Sequence, residues 1–302
     1  MPGFLTHCLA ANRLKKSLNE SSRKAIEKHE KLYNLGAQGP DIFFYYFTGL
    51  GYKDVRGLGN LMHDGGLGLF ILDMARQCRE SKSDEAFAYT CGFVMHYCLD
   101  STAHPYVYAR THTEGASSVK NSADHREFET AIDICMLLRL DGKKPGDLAH
   151  YSLIDAPKPD LLAAASVCGK AISAVYGRRI SQGMTYAAMK SMVSFTWYLQ
   201  SKKGRRKKTM RALEKISIRE PLYSSMMHSQ VADEAVLNLE KKDWLAPWPE
   251  AETENQSFVE LFDKSVIEAA ALCGLFWDFA HGGKDEGEFA EALGNKSLKT
   301  GI

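Results

Sequence analysis

The sequence predicts an all-α protein, and three observations carry that expectation. Apolar residues recur at three- and four-residue spacing over long stretches, no stretch sustains period-two alternation of β-branched residues, and only 9 prolines interrupt 302 residues. The first helical stretch is Ser21–Tyr33. Gly57–Arg76 follows as one glycine-rich helix carrying His63. Asp84–Ala109 sets Phe87, Cys91, Val94, Met95, Cys98, Leu99 and Ala103 at the spacing of a helix buried on most sides. Pro105 follows His104 directly; it removes a backbone donor and biases its predecessor away from helical angles. His104 is therefore expected at a kink or helix end. Arg110–Ala123, rich in Thr, Ser, Gly and Asn, reads as a loop leading into a helix over Ser122–Leu138. Asp160–Tyr176, Ser181–Leu199 and Phe258–Ala280 complete the helical pattern, with residues 181–302 packed around the same core.

Composition is that of an ordinary globular protein, 45% apolar and 25% charged. Lys+Arg at 38 against Asp+Glu at 37 leaves a net charge of +1, which argues against a dedicated nucleic-acid binder. No stable nucleic-acid partner is expected. Seven cysteines (Cys8, Cys78, Cys91, Cys98, Cys135, Cys168 and Cys273) show no paired spacing and mostly lie in apolar runs. Buried free thiols in a reducing compartment are the simpler reading. The N-terminus has no basic segment followed by a long apolar core, so no secretory signal is visible. The longest apolar stretches, Leu67–Met74 and Val266–Phe279, are short or interrupted, and no membrane span is expected. A cytoplasmic protein is the default, with release by a non-standard route left open. One basic run, Lys202-Lys203-Gly204-Arg205-Arg206-Lys207-Lys208, is either a solvated helix end or a patch for phosphate or anionic lipid headgroups. Nothing in the sequence sets an oligomeric state.

Nine metal-capable groups fall within the first 129 residues: His7, Asp41, His63, His96, Asp100, His104, His125, Glu129 and the chain start itself. The core of the set is His96-x-x-x-Asp100-x-x-x-His104, followed by His125-x-x-x-Glu129. Four residues is just over one helical turn, so ligands at that spacing project along one slanting stripe. Imidazole and carboxylate are zinc ligands, usually three or four per ion. Asp100 and His104 on a largely apolar helix resist a bland reading, because a buried carboxylate without a partner is costly. Asp41, after Gly39-Pro40, has the plainer alternative of capping the next helix. His29, His150, His228 and His281 read as satisfied core or surface residues.

The ligand words resemble those of the zinc-dependent phospholipase C family, whose superfamily includes single-strand nucleases. The resemblance lies in Gly36-Ala37-Gln38-Gly39-Pro40-Asp41-Ile42-Phe43, in Gly59-Asn60-Leu61-Met62-His63, in Gly92-Phe93-Val94-Met95-His96-Tyr97-Cys98-Leu99-Asp100 and in His125-x-x-x-Glu129. It covers roughly the first 140 residues. It implies a multi-helix bundle with three Zn2+ ions at the base of a cleft: a single domain over 1–302, with a metal-binding core over 2–140 and additional helices over 141–302. By that analogy Asp41, His63, His96 and Asp100 hold one ion. Asp100 bridges it to a second, which also takes His7 and the terminal nitrogen, here Pro2 if Met1 is removed. His104, His125 and Glu129 hold the third, with His112 as the alternative to His104.

The implied function is a phosphodiester hydrolase using a metal-bridging hydroxide as nucleophile, with Asp41 and Asp100 as its catalytic carboxylates. A single zinc can bring bound water to a pKa of about 7. A phospholipid or another phosphodiester is the expected substrate, with peripheral membrane contact. Two alternatives stay open: a nuclease or soluble phosphodiesterase with the same metals, for which Tyr45, Tyr46, Tyr97, Tyr106 and Tyr108 are candidate stacking platforms, and a non-catalytic helical protein stabilised by zinc.

Overall fold

The computed structural model describes residues 3–47, 49, 51–217 and 221–302. Among them it holds twelve α-helices and no strand, apart from an isolated bridge between Trp244 and Glu254. The all-α expectation from helical periodicity therefore stands. The first half comprises α1 (Phe4–Ser17), α2 (Glu20–Lys28), α3 (Glu30–Gly36), a 3-10 segment (Gly39–Tyr45), α4 (Tyr52–Asp64), α5 (Leu67–Ser81), α6 (Asp84–Thr111) and α7 (Ser118–Asp141). The second half adds α8 (Lys158–Tyr176), α9 (Gln182–Leu199), α10 (Arg205–Ser217), α11 (Phe258–Ala280) and α12 (Glu286–Leu293).

Helix α6 is the axis around which the others pack. It touches α1, α2, α3, α5, α7, α8 and α11, and is buried on every side from Ala86 to Ser101. It starts with the Ser83 hydroxyl accepting from the Ala86 N–H, with Asp84 and Glu85 in the positive first turn. Helix α11 begins in the same manner, Ser257 and Glu260 closing a reciprocal capping box. At the α3–α6 crossing, a Cβ on Gly36 would lie 2.2 Å from the Tyr89 carbonyl oxygen. One on Gly92 would lie 2.1 Å from that of Tyr33. The two backbones approach so closely only because both positions lack a side chain.

Three local expectations are corrected. Gly57–Arg76 is not one helix: the chain turns at Gly65 and Gly66 between α4 and α5. Residues 4–17, not anticipated as a helix, form α1. Pro105 does not end α6, which runs on to Thr111 and leaves a connection of only residues 112–117 before α7. A proline inside a helix costs about 3 kcal/mol. Here Tyr106 and Val107 are fully buried beyond it, and the Tyr106 hydroxyl donates to the Val236 carbonyl at 2.7 Å. Burial of two large side chains offsets a cost of that size.

Candidate metal centre

Asp100 lies on α6, fully buried, one turn from His96 and one turn from His104. Its Oδ1 is 3.2 Å from His7 Nε2, and its Oδ2 is 3.1 Å from His96 Nε2. His63 Nε2 and His104 Nδ1 each stand 3.8 Å from Oδ2. Three groups of ligand-type atoms form around this carboxylate: His7, His96 and Asp100; Asp41, His63 and His96; His104, His125 and Glu129. Within each group the atoms lie within 4.8 Å of one another.

The eight ligands come from five elements, with His96, Asp100 and His104 all on α6. The 3-10 segment carries Asp41 over α6, and Gly39 there has φ +52°. A Cβ on Gly39 would meet the His96 ring at 2.3 Å, so glycine both permits the backbone turn and lets the segment settle on that ring. His63 comes from the last turn of α4. His125 and Glu129 come from one face of α7, their Nε2 and Oε1 atoms 2.7 Å apart. His7 comes from α1, with its ring stacked on His96 at 4.4 Å.

The surrounding chain sets the imidazole orientations. His63 Nδ1 lies 2.6 Å from the Gly59 carbonyl, His96 Nδ1 is 3.1 Å from that of Ala37, and His104 Nδ1 is 2.5 Å from that of Leu298. A neutral ring donating from Nδ1 presents its Nε2 lone pair, the arrangement that such carbonyl acceptors impose on metal-binding histidines. Leu298, in the C-terminal segment, takes this role without any sequence signal.

Asp133, not singled out from sequence, anchors α1. Gly3 at the helix start offers no side-chain cap. Asp133 from α7 instead accepts the Leu5 N–H at 3.0 Å, the Thr6 N–H at 2.7 Å, the Thr6 hydroxyl at 2.6 Å and His228 Nε2 at 2.6 Å. Burial alone would raise its pKa, but the His228 and Thr6 hydrogen bonds hold it below the usual carboxylate range. A signal existed: Asp133 continues the four-residue stripe of His125 and Glu129.

Whether these residues suit a metal can be tested on their polar atoms. Both ring nitrogens of His7, Asp41 Oδ1, His96 Nε2 and both Asp100 oxygens are buried without a hydrogen-bond partner. Burying so many polar atoms unsatisfied is costly. Several face one another at 3.1–3.4 Å without hydrogen-bond geometry. That separation is close to the edge of a tetrahedron, about 3.3–3.6 Å for zinc bonds of about 2.0–2.2 Å. The donor set, imidazole nitrogen with carboxylate oxygen, is one zinc accepts. Burial would raise Asp100, but the His96 charge beside it holds it well below the usual carboxylate range. Burial pushes His104 and His125 down, toward the neutral imidazole that ligation needs.

Above the groups opens a cleft of about 530 Å³. Asp41, His63, His104, His125 and Glu129 line it, whereas His7, His96 and Asp100 lie beneath its floor. Its walls carry Phe44, Tyr45, Phe47, Arg126, Tyr223 and Met226 among others. Tyr45 and Tyr108 line the cleft, but Tyr46, Tyr97 and Tyr106 are buried in the core. His112 caps the end of α6, exposed, and joins none of the three groups. Pro2 lies outside the described residues. All seven cysteines are free and buried, and none enters a ligand group among the described residues. His29, His150, His228 and His281 each have a hydrogen-bond partner in Asp160, the Pro145 carbonyl, Asp133 and the Trp277 carbonyl. No described helix is long and apolar enough to cross a membrane.

Comparison with known proteins gives no match among curated proteins or solved structures. The profile of the family described as zinc dependent phospholipase C matches residues 6–176, more than half of the chain and a span containing all eight His, Asp and Glu residues of the three groups. An all-α bundle, three convergent His/carboxylate groups and this match together place the chain in the zinc-dependent phospholipase C family.

Proposed function

We propose that this protein is a zinc-dependent phosphodiester hydrolase of the phospholipase C type, holding three zinc ions. The observation that carries the reading is the convergence of three ligand groups on one buried carboxylate, Asp100, under an open cleft. In this reading Asp41, His63, His96 and Asp100 hold one ion, and Asp100 with His7 and, once Met1 is removed, the Pro2 nitrogen holds a second. His104, His125 and Glu129 hold the third. Bound zinc supplies an acidified water and offsets charge on phosphoryl oxygens.

The chain's own residues do the rest. Asp100, with an oxygen toward His7 and the other toward His96, fixes the spacing of the first two groups. Asp41 lines the cleft, and with Oδ1 given to the metal it accepts a proton from the attacking water at its other carboxylate oxygen. His63, His96 and His104 keep their orientation through the Gly59, Ala37 and Leu298 carbonyls. The aromatic wall at Phe44, Tyr45 and Phe47 excludes water and receives the apolar part of a glycerophospholipid. Attack on phosphorus breaks the bond to the glycerol oxygen, which takes a proton from solvent and leaves as the alcohol, Asp41 returning its proton to solvent, while the headgroup retains the phosphate.

Peripheral membrane contact belongs to the same reading. Trp197, Tyr198, Leu213 and Ile216 are exposed on α9 and α10, beside the exposed cations Lys202, Lys203, Arg205 and Lys208. Aromatic, aliphatic and cationic side chains together suit an anionic lipid interface. Lys207 and Arg211 are instead paired with Glu127.

The test is metal analysis of the purified protein alongside a panel of phosphatidylcholine, bis-p-nitrophenyl phosphate and single-stranded DNA. Zinc with turnover of the phospholipid and the synthetic diester is the expected result. Turnover of DNA alone would make the protein a nuclease. Full zinc loading with no turnover of any of the three would leave the metals a structural role.

A further inference from the structure

Arg126 lines the cleft from α7, one residue beyond His125 and three before Glu129. Its Nε donates to the Ser225 hydroxyl at 3.1 Å, but its buried Nη2 has no hydrogen-bond partner. A guanidinium nitrogen withdrawn from water without an acceptor is costly, and in a ligand cleft it marks a place for an acceptor to arrive. Two further cations line the wall. Arg56 sits over the Phe47 ring, and Lys299 pairs with Asp64. Outside the ligand groups the carboxylate on the wall is Asp133, whose two oxygens are already taken by Leu5, Thr6 and His228. Among the described residues, the wall thus offers a spare cationic donor and no spare carboxylate to receive a cation.

We infer that Arg126 anchors an anionic group on the substrate's headgroup, so that the cleft prefers phosphodiesters with phosphorylated or carboxylated headgroups over those carrying a quaternary ammonium. This rests on the phosphodiesterase reading above. The scissile phosphate would be met at the cleft floor by the cations that the three ligand groups would hold, which leaves Arg126 for a second anion. A planar guanidinium held at Nε by Ser225 presents its remaining N–H groups in a fixed direction, and charge-assisted bonds of that kind discriminate sharply. An ammonium brought to the same place meets a like charge in a partly desolvated wall.

The test uses zinc-loaded full-length protein, with short-chain monomeric lipids so that surface binding plays no part. Phosphatidylinositol 4-phosphate is compared with phosphatidylcholine, and bis-p-nitrophenyl phosphate serves as the diester without a biological headgroup. The wild type is expected to favour the phosphoinositide in kcat/KM. Arg126→Gln is expected to lower that value by about 10–100-fold, chiefly through KM, and to narrow the preference, while Arg126→Lys recovers part of it. Binding of inositol 1,4-bisphosphate, measured by calorimetry, should weaken in Arg126→Gln to a similar degree with zinc content unchanged. Failure of the wild type to cleave the synthetic diester would overturn the phosphodiesterase reading alone, since the calorimetric result stands apart from turnover. Cleavage of that diester with phosphatidylcholine preferred, or a headgroup preference and inositol bisphosphate affinity unchanged in Arg126→Gln, would overturn the role of Arg126.

Discussion

Asp100 is fully buried with His7, His63, His96 and His104 all within 3.8 Å of its oxygens, and neither oxygen has a hydrogen bond. Asp100→Asn keeps the shape and removes the charge. The variant is expected to lose at least about one zinc per chain and its phosphodiesterase activity, because the ligating carboxylate must be ionised. Elemental analysis beside a rate assay checks this; full zinc content with full turnover would remove Asp100 from the bridging position. Asp133 has the opposite character, since every oxygen is satisfied. Asp133→Asn should destabilise the fold by about 2–4 kcal/mol, because His228 and the start of α1 lose a charged acceptor. The folded-state pKa of Asp133 is lowered, so its contribution is present above the unfolded value and is lost as pH falls below 3.8 toward the folded value. Urea midpoints of wild type and Asp133→Asn should therefore differ at neutral pH and converge in acid. A gap unchanged down to the lowest pH would contradict this linkage.

At the scale of elements, the site depends on how closely α3 and the 3-10 segment approach α6. Gly36 and Gly92 set that approach through backbone contacts that no side chain can relieve. Gly92→Ala is expected to cost about 1–3 kcal/mol in chemical denaturation, as overpacking does, and to lower zinc affinity by lifting Asp41 from His96. A stable variant with normal zinc binding would show that the crossing is more pliant than its contacts imply. Helix α6 also shows why a local rule failed at Pro105. The sequence exposes the cost of the proline, but not the burial of Tyr106 and Val107 beyond it, which outweighs that cost. For the same reason His104 remains in mid-helix, with its ring fixed by Leu298, 194 residues away.

For the molecule as a whole, the ligand groups join α1, the 3-10 segment, α4, α6 and α7, so metal binding should be inseparable from stability. Chelation at neutral pH is expected to lower the thermal midpoint by about 10–15 °C, since three ions, each held at a hundred times its dissociation constant, together add about 8 kcal/mol. Scanning calorimetry with and without chelator checks this, and an unchanged midpoint would mean the fold does not need its metals. The sequence by itself determined the helical class, through apolar spacing. It also nominated the eight side chains of the three groups, because imidazoles and carboxylates at one-turn spacing in an apolar helix are costly to bury unless they bind something. Helical spacing alone could not assign these side chains to one another; only the family resemblance implied a grouping. Grouping depends on contacts between α1, α6 and α7, which are remote in sequence and fixed only by packing. Arg126 was hidden for the same reason: a guanidinium on a helix looks solvated until the fold turns it into the cleft. Asp133 shares the stripe of His125 and Glu129, but its hold on α1 is a contact remote in sequence. Tertiary structure alone decided which charges are satisfied and which await a ligand, because burial and hydrogen-bond partners belong to the packed chain.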